Sequence, residues 1–207
     1  MERLFKGTIE FRKNDFEKYK HIFTELGRYQ KPHTLFITCS DSRIMPGMIT
    51  NSVPGEVFIV RNIANIVPRY RLSEEYLATT SAIEFAVEVL NVDTIVVCGH
   101  SNCGGCAALY LPEEKLAKTP NTKKWLELSQ IVKEKVLSMV DINDDKAREW
   151  MTEQVNIVEQ INHLFTYPFI KEKYEQGKLK IYGWYYIIET GEIFNYNNET
   201  SSFELIN

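Results

Sequence analysis

The sequence predicts an α/β fold with a mostly parallel central sheet of about four strands and one antiparallel edge strand. Short apolar, β-branched segments alternate with longer segments of helical periodicity, which is the pattern of strand–helix–strand units. The strand segments are apolar throughout, as expected for parallel strands that are buried on both faces. A tight turn separates the last two strands and makes the final one antiparallel. We therefore expect helices on both faces of the sheet and a helical arm at the N-terminus.

The elements follow one another in a regular order along the chain. The predicted strands are 34–39, 56–61, 93–98, 179–188 and 193–196. The predicted helices are 8–29, 48–50, 73–90, 103–111, 121–140, 145–165 and 167–176. The first of these helices is the arm, with Asn14 or Asp15 as its cap. The tail from Asn197 is expected to be polar and loosely held, apart from Phe203 and Leu205.

The clearest helical pattern covers residues 73–90. Ser73 can cap this helix, and Glu74 and Glu75 favour its positive end. A broad apolar face follows, and Asn91 closes the helix. Because apolar strands flank it on both sides, the helix is predicted to be a right-handed crossover between parallel strands.

Composition excludes several classes of function. The formal net charge is −4 and no Lys/Arg block occurs, so nucleic acid is not an expected partner. No apolar run approaches the roughly 18 residues of a membrane span, and the N-terminus does not resemble a signal peptide. Four cysteines without an export signal indicate a reducing compartment. We expect a soluble, cytoplasmic protein with no membrane partner.

The whole chain is predicted to form a single domain. Its parts are the arm (1–30), the core that carries the site (34–111), a group of helices (120–177) and the C-terminal strands (179–196). No internal repeat or interdomain linker interrupts this arrangement.

Two polar clusters follow predicted strands at the point where each strand ends. Cys39 opens the first cluster, and His100 and Cys103 belong to the second. In open α/β sheets, ligands bind at the carboxyl ends of the strands. Two thiolates and one imidazole form a zinc ligand set that leaves the fourth tetrahedral position for water or substrate, whereas a closed structural site needs a fourth Cys or His. The sequence therefore predicts a catalytic site with one Zn²⁺ per chain.

Asp41 and Arg43 add a charged pair to the first cluster. A guanidinium can bind a carboxylate in bidentate fashion and keep it ionised and oriented. Asp41 could then accept a hydrogen bond from metal-bound water, or move onto the metal as a fourth, inhibitory ligand. Cys103 should begin a helix, whose positive end lowers a thiol pKa. Gly104 and Gly105 leave room for a small substrate.

These motifs together resemble those of the β-class carbonic anhydrases. The two signatures are Cys-x-Asp-x-Arg from Cys39 and His-x-x-Cys-Gly-Gly from His100. The likeness extends from about residue 30 to residue 111, with one further dipeptide beyond it. Its other segments are Pro54-Gly55-Glu56, Arg61-Asn62-Ile63-Ala64-Asn65 and Gly183-Trp184. The combination is far more specific than either motif alone.

The resemblance implies an enzyme that reversibly hydrates CO₂ to bicarbonate and a proton. Cys39, His100 and Cys103 would be zinc ligands, and zinc-bound hydroxide would attack CO₂ with the help of an Asp41–Arg43 dyad. The resemblance also implies a homodimer or a dimer of dimers (a homotetramer). The active sites would lie near the subunit interface, and the N-terminal arm would embrace the partner.

The resemblance further implies a substrate pocket. Its residues would be Gln30, Phe58, Ile63, Phe85 and Gly104, of which Gln30 is typical of the plant-like subgroup and Phe85 stands where the family has Tyr.

A bacterial subgroup has an inhibitory bicarbonate site with a Trp, an Arg and a Tyr. This chain has Arg61 and Tyr186 but Phe36 in place of the Trp. We expect this site to be absent or weak, and Asp41 to leave the metal open near neutral pH.

Two other functions fit the same ligands. A related hydrolase of COS or CS₂ shares the fold and the metal site, and a non-catalytic zinc-binding or redox-sensing protein needs only the ligands. The Asp41–Arg43 pair argues against the latter. Outside the site, Cys98 and Cys106 are interpreted as inert. The remaining histidines, interpreted as surface residues, are His21, His33 and His163.

Overall fold

The computed structural model describes residues 1–72, 75 and 77–207 of the chain. The strands are β1 (Thr34–Cys39), β2 (Val57–Asn62), β3 (Thr94–His100), β4 (Lys180–Tyr186), β5 (Ile193–Asn197) and β6 (Ser202–Leu205). Within the described residues they form one six-stranded sheet in the order β2-β1-β3-β4-β5-β6. The first four strands are parallel, whereas β5 and β6 are each antiparallel to their neighbour. The predicted α/β fold with a mostly parallel sheet is confirmed.

The end of the chain differs from the prediction. The tail after Asn197 is not loosely held, because it returns as β6 and pairs with β5. Phe203 on β6 packs against Tyr185 and Tyr196, with ring centroids 6.1 and 5.2 Å apart. Backbone pairing and one aromatic side chain thus hold a segment whose composition is polar.

The α-helices of the described residues surround the sheet. They are α1 (Glu2–Lys13), α2 (Asp15–Glu25), α3 (Pro46–Ile49), α4 (Ala78–Glu84), α5 (Gly104–Ala107), α6 (Glu113–Leu116), α7 (Pro120–Leu126), α8 (Gln130–Leu137), α9 (Asp145–Leu164) and α10 (Pro168–Glu175). The predicted arm consists of two helices that meet at Asn14, whose side chain makes no capping hydrogen bond. In the described part of the chain, no helix combines the length and apolar character that a membrane crossing requires.

Several predicted helices are shorter or more broken than expected. The helix predicted over 73–90 begins as α4 and ends in a π-helical turn, Phe85–Val89. Its predicted cap Ser73 and the acidic Glu74 lie outside the described residues. The helix predicted over 121–140 is divided into α7 and α8 by a 3₁₀ turn, and α6 was not predicted. The long helix α9 and the following α10 agree with the prediction.

The core fills both faces of the parallel strands. Every residue of β1 is buried, which explains its continuous apolar run. On one face, Leu35 and Ile95 join the main core with Ile157 of α9. On the other face, Phe36 and Val96 form a smaller cluster. Because β1 and β3 are adjacent and parallel, their carboxyl ends lie side by side and bring the two polar clusters together.

A buried histidine on α9 was not predicted. His163, which was expected on the surface, is 2% exposed, whereas His21 and His33 are exposed as predicted. His163 Nδ1 lies 2.7 Å from the Val67 carbonyl, and Nε2 lies 3.4 Å from Glu159 Oε1. The surface prediction for His163 is wrong because His163 lies on a buried polar face of α9, beside Glu159 and Gln160 one helical turn earlier.

This burial predicts a dependence of stability on pH. Burial lowers the pKa of His163 from its ordinary 6.5, so below that pH the unfolded chain binds a proton that the folded chain does not. The free energy of unfolding should therefore fall on acidification, by up to about 1.4 kcal/mol per pH unit. His163→Asn keeps a donor for the Val67 carbonyl and removes this titration, so we expect a smaller loss between about pH 6.5 and 5.5. Urea unfolding at both pH values measures the difference.

The charged groups beside His163 do not produce a loss of stability over the same pH range. Burial acts to raise the pKa of Glu159, but its hydrogen bonds with Lys135 and Asn162, together with the nearby positive charge, lower the pKa below 4.5. The contribution of Glu159 is thus lost only under more acidic conditions. Arg69, 3.5 Å from Glu159, is the second cation at this carboxylate. Equal losses of stability in wild type and His163→Asn would contradict the prediction.

Candidate metal centre

Three buried side chains converge at the carboxyl ends of β1 and β3. Cys39 ends β1, His100 ends β3, and Cys103 immediately precedes α5. Their ligand atoms all lie within 4.8 Å of one another, and each residue is at most 5% exposed. Zinc bonds to sulfur and nitrogen of about 2.0–2.3 Å hold ligand atoms roughly 4 Å apart. The residues predicted from the sequence are thus brought together in an arrangement that could hold a metal ion.

The hydrogen bonds of His100 fit a metal ligand. Its Nδ1 lies 2.9 Å from the Ser101 carbonyl, so this nitrogen carries the proton and donates it. Its Nε2 is buried and has no hydrogen-bond partner among the described residues. Metal-binding imidazoles are commonly oriented by such a hydrogen bond at the other ring nitrogen, and the unpaired lone pair of Nε2 faces two thiols.

The two thiols prefer their neutral form unless a cation is present. A hydrogen bond with Cys103 and burial raise the pKa of Cys39 to about 12. A hydrogen bond with Cys106 and burial also raise the pKa of Cys103. Both effects act against the lowering that the sequence suggests for a thiol at a helix N-terminus. Metal binding must therefore displace both protons, which makes it dependent on pH.

Asp41 and Arg43 form the predicted bidentate pair. Arg43 Nε donates to Asp41 Oδ1 at 2.9 Å, and Arg43 Nη2 donates to Oδ2 at 2.7 Å. The hydrogen bond from Arg43 holds the pKa of Asp41 well below its usual range. Asp41 Oδ2 lies 4.0 Å from His100 Nε2, so the carboxylate stands beside the cluster of ligand atoms.

The backbone around this pair is also fixed. Arg61 donates from Nε to the Cys39 carbonyl at 3.0 Å and from Nη2 to the Asp41 carbonyl at 2.6 Å. Arg43 Nη2 reaches across to the Asn102 carbonyl at 3.0 Å. Arg43 therefore ties the loop after β1 to the loop after β3, and Arg61 of β2 holds the backbone of the first loop.

Two of the predicted pocket residues lie next to the metal ligands. Gly104 follows Cys103, and a Cβ at Gly104 would meet no atom within 4 Å, so space is open there. Ile63 is 40% exposed and packs beside Gly105, where an added Cβ would come within 3.0 Å of Ile63 Cγ2. Glycine is required at 105 because the neighbouring loop approaches this closely.

The other three predicted pocket residues lie elsewhere in the same chain. Phe58 pairs with Leu35, four positions before Cys39 in β1, which is roughly 13 Å along the strand. Phe85 contacts Phe58, with ring centroids 6.1 Å apart, and Gln30 precedes β1. The structure therefore does not join Gln30, Phe58 and Phe85 to the metal ligands of their own chain.

One residue of the site was not predicted. Glu153 on α9 is 2% exposed, and its Oε1 accepts a hydrogen bond from the Cys103 N–H at 2.7 Å. Tyr185 donates its hydroxyl to Glu153 Oε2 at 2.7 Å. Burial raises the pKa of Glu153 to about 7.

Glu153 belongs to a polar stripe along α9. Asn156 donates to the Ala64 carbonyl at 2.9 Å, and Gln160 accepts from the Val67 N–H at 2.8 Å. These three polar residues are spaced by about one helical turn in a segment predicted to be helical, and this spacing could have indicated a buried polar face. The sequence analysis does not identify this face, because it assigns the charge-rich residues of the segment to a solvent-exposed face.

The fold and these residues define an α/β protein with a three-donor metal site at the carboxyl edge of a parallel sheet. The family model for carbonic anhydrase matches residues 34–193. The chain belongs to the carbonic anhydrase family.

Similar proteins place it within the family. The carbonic anhydrase of Helicobacter pylori strain J99 is 41% identical over 205 residues, which cover 98% of this chain and 93% of that protein. The solved β-carbonic anhydrase CcaA is 33% identical, with a TM-score of 0.94 over 100% of this chain and 99% of that one. A tetrameric β-carbonic anhydrase from Sordaria macrospora is 32% identical, with a TM-score of 0.79 over 94% and 95% of the two chains. The chain is a carbonic anhydrase of the β class, a lyase that acts on CO₂.

Proposed function

We propose that this chain hydrates CO₂ at a zinc ion bound by Cys39, His100 and Cys103. The observation that carries the proposal is the convergence of two buried thiols and one unpaired imidazole nitrogen within 4.8 Å. Zinc would supply the Lewis acidity that makes water a nucleophile near neutral pH. Three protein donors leave one tetrahedral position for that water.

In the proposed mechanism, Asp41 acts as the hydrogen-bond acceptor beside the metal. Its bidentate pairing with Arg43 keeps it ionised, so both oxygens can only accept. Two thiolates cancel the charge of the ion, and a nearby acceptor therefore matters more than it would beside three neutral histidines. The open space at Gly104 and the side chain of Ile63 would accommodate CO₂.

The substrate pocket is proposed to need a second copy of the chain. Gln30, Phe58 and Phe85 lie toward the amino ends of the strands, away from the ligands of their own chain. Phe85 is 42% exposed, and the described helices α1 and α2 contain no buried residue. A homodimer or dimer of dimers would cover these surfaces and could bring the three residues to the partner's metal. The tetrameric Sordaria relative supports self-association.

The inhibitory bicarbonate site is proposed to be absent or weak. Phe36 is fully buried and packs edge-on against Trp184, so it offers an apolar ring where a Trp would offer a donor. Both donors of Arg61 that are described above are engaged by backbone carbonyls. We also propose a cytoplasmic location, because the four cysteines, all within the described residues, are free thiols.

Metal content and gas hydration test the proposed function together. Purified protein is expected to hold one zinc per chain and to hydrate CO₂ in stopped-flow assays. A chelator should abolish turnover, and added zinc should restore it. Parallel assays on COS and CS₂ serve as controls for the related hydrolases. Protein that holds one zinc per chain but is inactive toward all three gases would contradict the proposal.

A further inference from the structure

We propose that Glu153 is a positioning residue of the hydration reaction, which acts through the peptide group between Asn102 and Cys103. This inference rests on the proposed function of Cys103 as a zinc ligand and of Arg43 as the partner of Asp41.

The peptide group between Asn102 and Cys103 forms a hydrogen bond on each side, and the inference is based on these two contacts. Its oxygen, on Asn102, accepts from Arg43 Nη2 at 3.0 Å. Its N–H, on Cys103, donates to Glu153 Oε1 at 2.7 Å. Hydrogen bonds on both sides of an amide polarise and strengthen one another. Glu153 is therefore connected to the arginine of the dyad as well as to a metal ligand.

The Glu153 carboxylate has a second buried hydrogen-bond partner. Tyr185, which is 2% exposed, donates to Glu153 Oε2 at 2.7 Å. Tyr185 lies on β4 and pairs with Gly99 of β3, one residue before His100. The carboxylate is thus fastened to β4, the strand that pairs with the imidazole-bearing β3.

The stability of the fold does not by itself explain a carboxylate at position 153. Among the residues that the structure describes, no lysine or arginine forms an ion pair with Glu153. A buried carboxylate without a charged partner costs free energy on folding. Glu159 on the same helix offers a contrast, because Lys135 lies 2.5 Å and Arg69 3.5 Å from its oxygens.

The turn that carries this peptide is oriented by hydrogen bonds. Asn102 has a φ of 56°, in the left-handed region that asparagine adopts more readily than most residues with a side chain. The turn therefore suits its sequence, and the hydrogen bonds to Arg43 and Glu153 fix the orientation of the peptide within it. Loss of the Glu153 acceptor would let the peptide rotate, which would shift Cys103 and release Arg43 from the Asn102 carbonyl.

Glu153→Gln tests the inference, with Glu159→Gln as the matched control. Glutamine offers one acceptor where the Cys103 N–H and the Tyr185 hydroxyl need two. We expect kcat to fall about 10- to 100-fold with little change in KM, and zinc loss to a chelator to be about 10-fold faster. The absorption spectrum of the cobalt-substituted protein should also change, because it reports the ligand geometry. Glu159→Gln should lower stability but leave kcat and this spectrum unchanged.

Tyr185→Phe provides a second variant in case Glu153→Gln does not fold. It keeps the bond from Cys103 to Glu153 and removes only the outer anchor, so a smaller fall in kcat and the same direction of spectral change are expected. Unchanged kcat and cobalt spectrum in folded Glu153→Gln, or in Tyr185→Phe if that variant alone folds, would overturn the inference. Equal losses of kcat in Glu153→Gln and Glu159→Gln would also overturn it. An inactive, zinc-free wild type would instead overturn the proposed function, and the inference with it.

Discussion

Cys39→Ser is expected to abolish zinc binding and CO₂ hydration together. A serine hydroxyl does not ionise near neutral pH and is a poor ligand for a borderline-soft cation. Because Cys39 is 5% exposed, no side chain from the surface can replace it. Bound zinc should fall from one per chain to nearly none, and turnover by at least about 1000-fold. The thermal stability of the variant should match that of chelator-treated wild type, since only the folded state forms the site.

Cys98→Ser is the matched control for this substitution. Cys98 is a fully buried thiol on the adjacent strand, it lies 3.5 Å from the Gly99 carbonyl, and it does not belong to the ligand cluster. It should lose some stability from the same chemical change but retain its zinc. Metal analysis and chelator-dependent melting of both variants measure the difference. Zinc loss from Cys98→Ser would mean that any polar change in these strands disrupts the site, and zinc retention by Cys39→Ser would exclude Cys39 as a ligand.

The parallel core and the metal ligands could be predicted from the sequence because their physical causes are local. The strand predicted at 34–39 matches β1, since a strand buried on both faces must be apolar throughout. Cys39, His100 and Cys103 stand at strand ends, where the fold itself brings them together. The pair Asp41 and Arg43 forms within three residues of chain, so its geometry depends little on tertiary structure.

The sequence does not predict the parts of the structure that are held in place by residues distant in the chain. Strand β6 owes its place to pairing with β5, and a polar composition gives no sign of that. His163 and Glu153 are buried because they bond backbone groups of distant loops, whereas their sequence neighbours suggest a solvated helix face. Sequence spacing also cannot show that Phe58 is offset by roughly 13 Å along the strand direction from Cys39 of its own chain, because only strand register gives that offset.

Asp41→Asn is expected to separate catalysis from metal binding. Asp41 lies beside the ligand cluster, 4.0 Å from His100 Nε2, so the variant should keep one zinc per chain. The amide would turn a donor toward Arg43 or toward the metal's open position, where the wild-type carboxylate only accepts. A positioned acid–base group contributes about 10²- to 10⁴-fold, and we expect a loss of turnover in that range. Stopped-flow CO₂ hydration and metal analysis on the same preparation give both quantities.

Asp93→Asn makes the same change of charge at the opposite end of β3. Its carboxylate is exposed, accepts from the Thr94 hydroxyl at 2.8 Å and lies at the end of β3 away from the metal ligands, so turnover should be unaffected. The comparison removes any general effect of net charge from the result for Asp41. Undiminished turnover in Asp41→Asn would remove this carboxylate from the mechanism, and the Arg43 pair would then be only a loop-stabilising salt bridge. Loss of zinc from Asp41→Asn would instead show that Asp41 supports the ligands, because the rate could no longer be assigned to an acceptor beside an intact metal site.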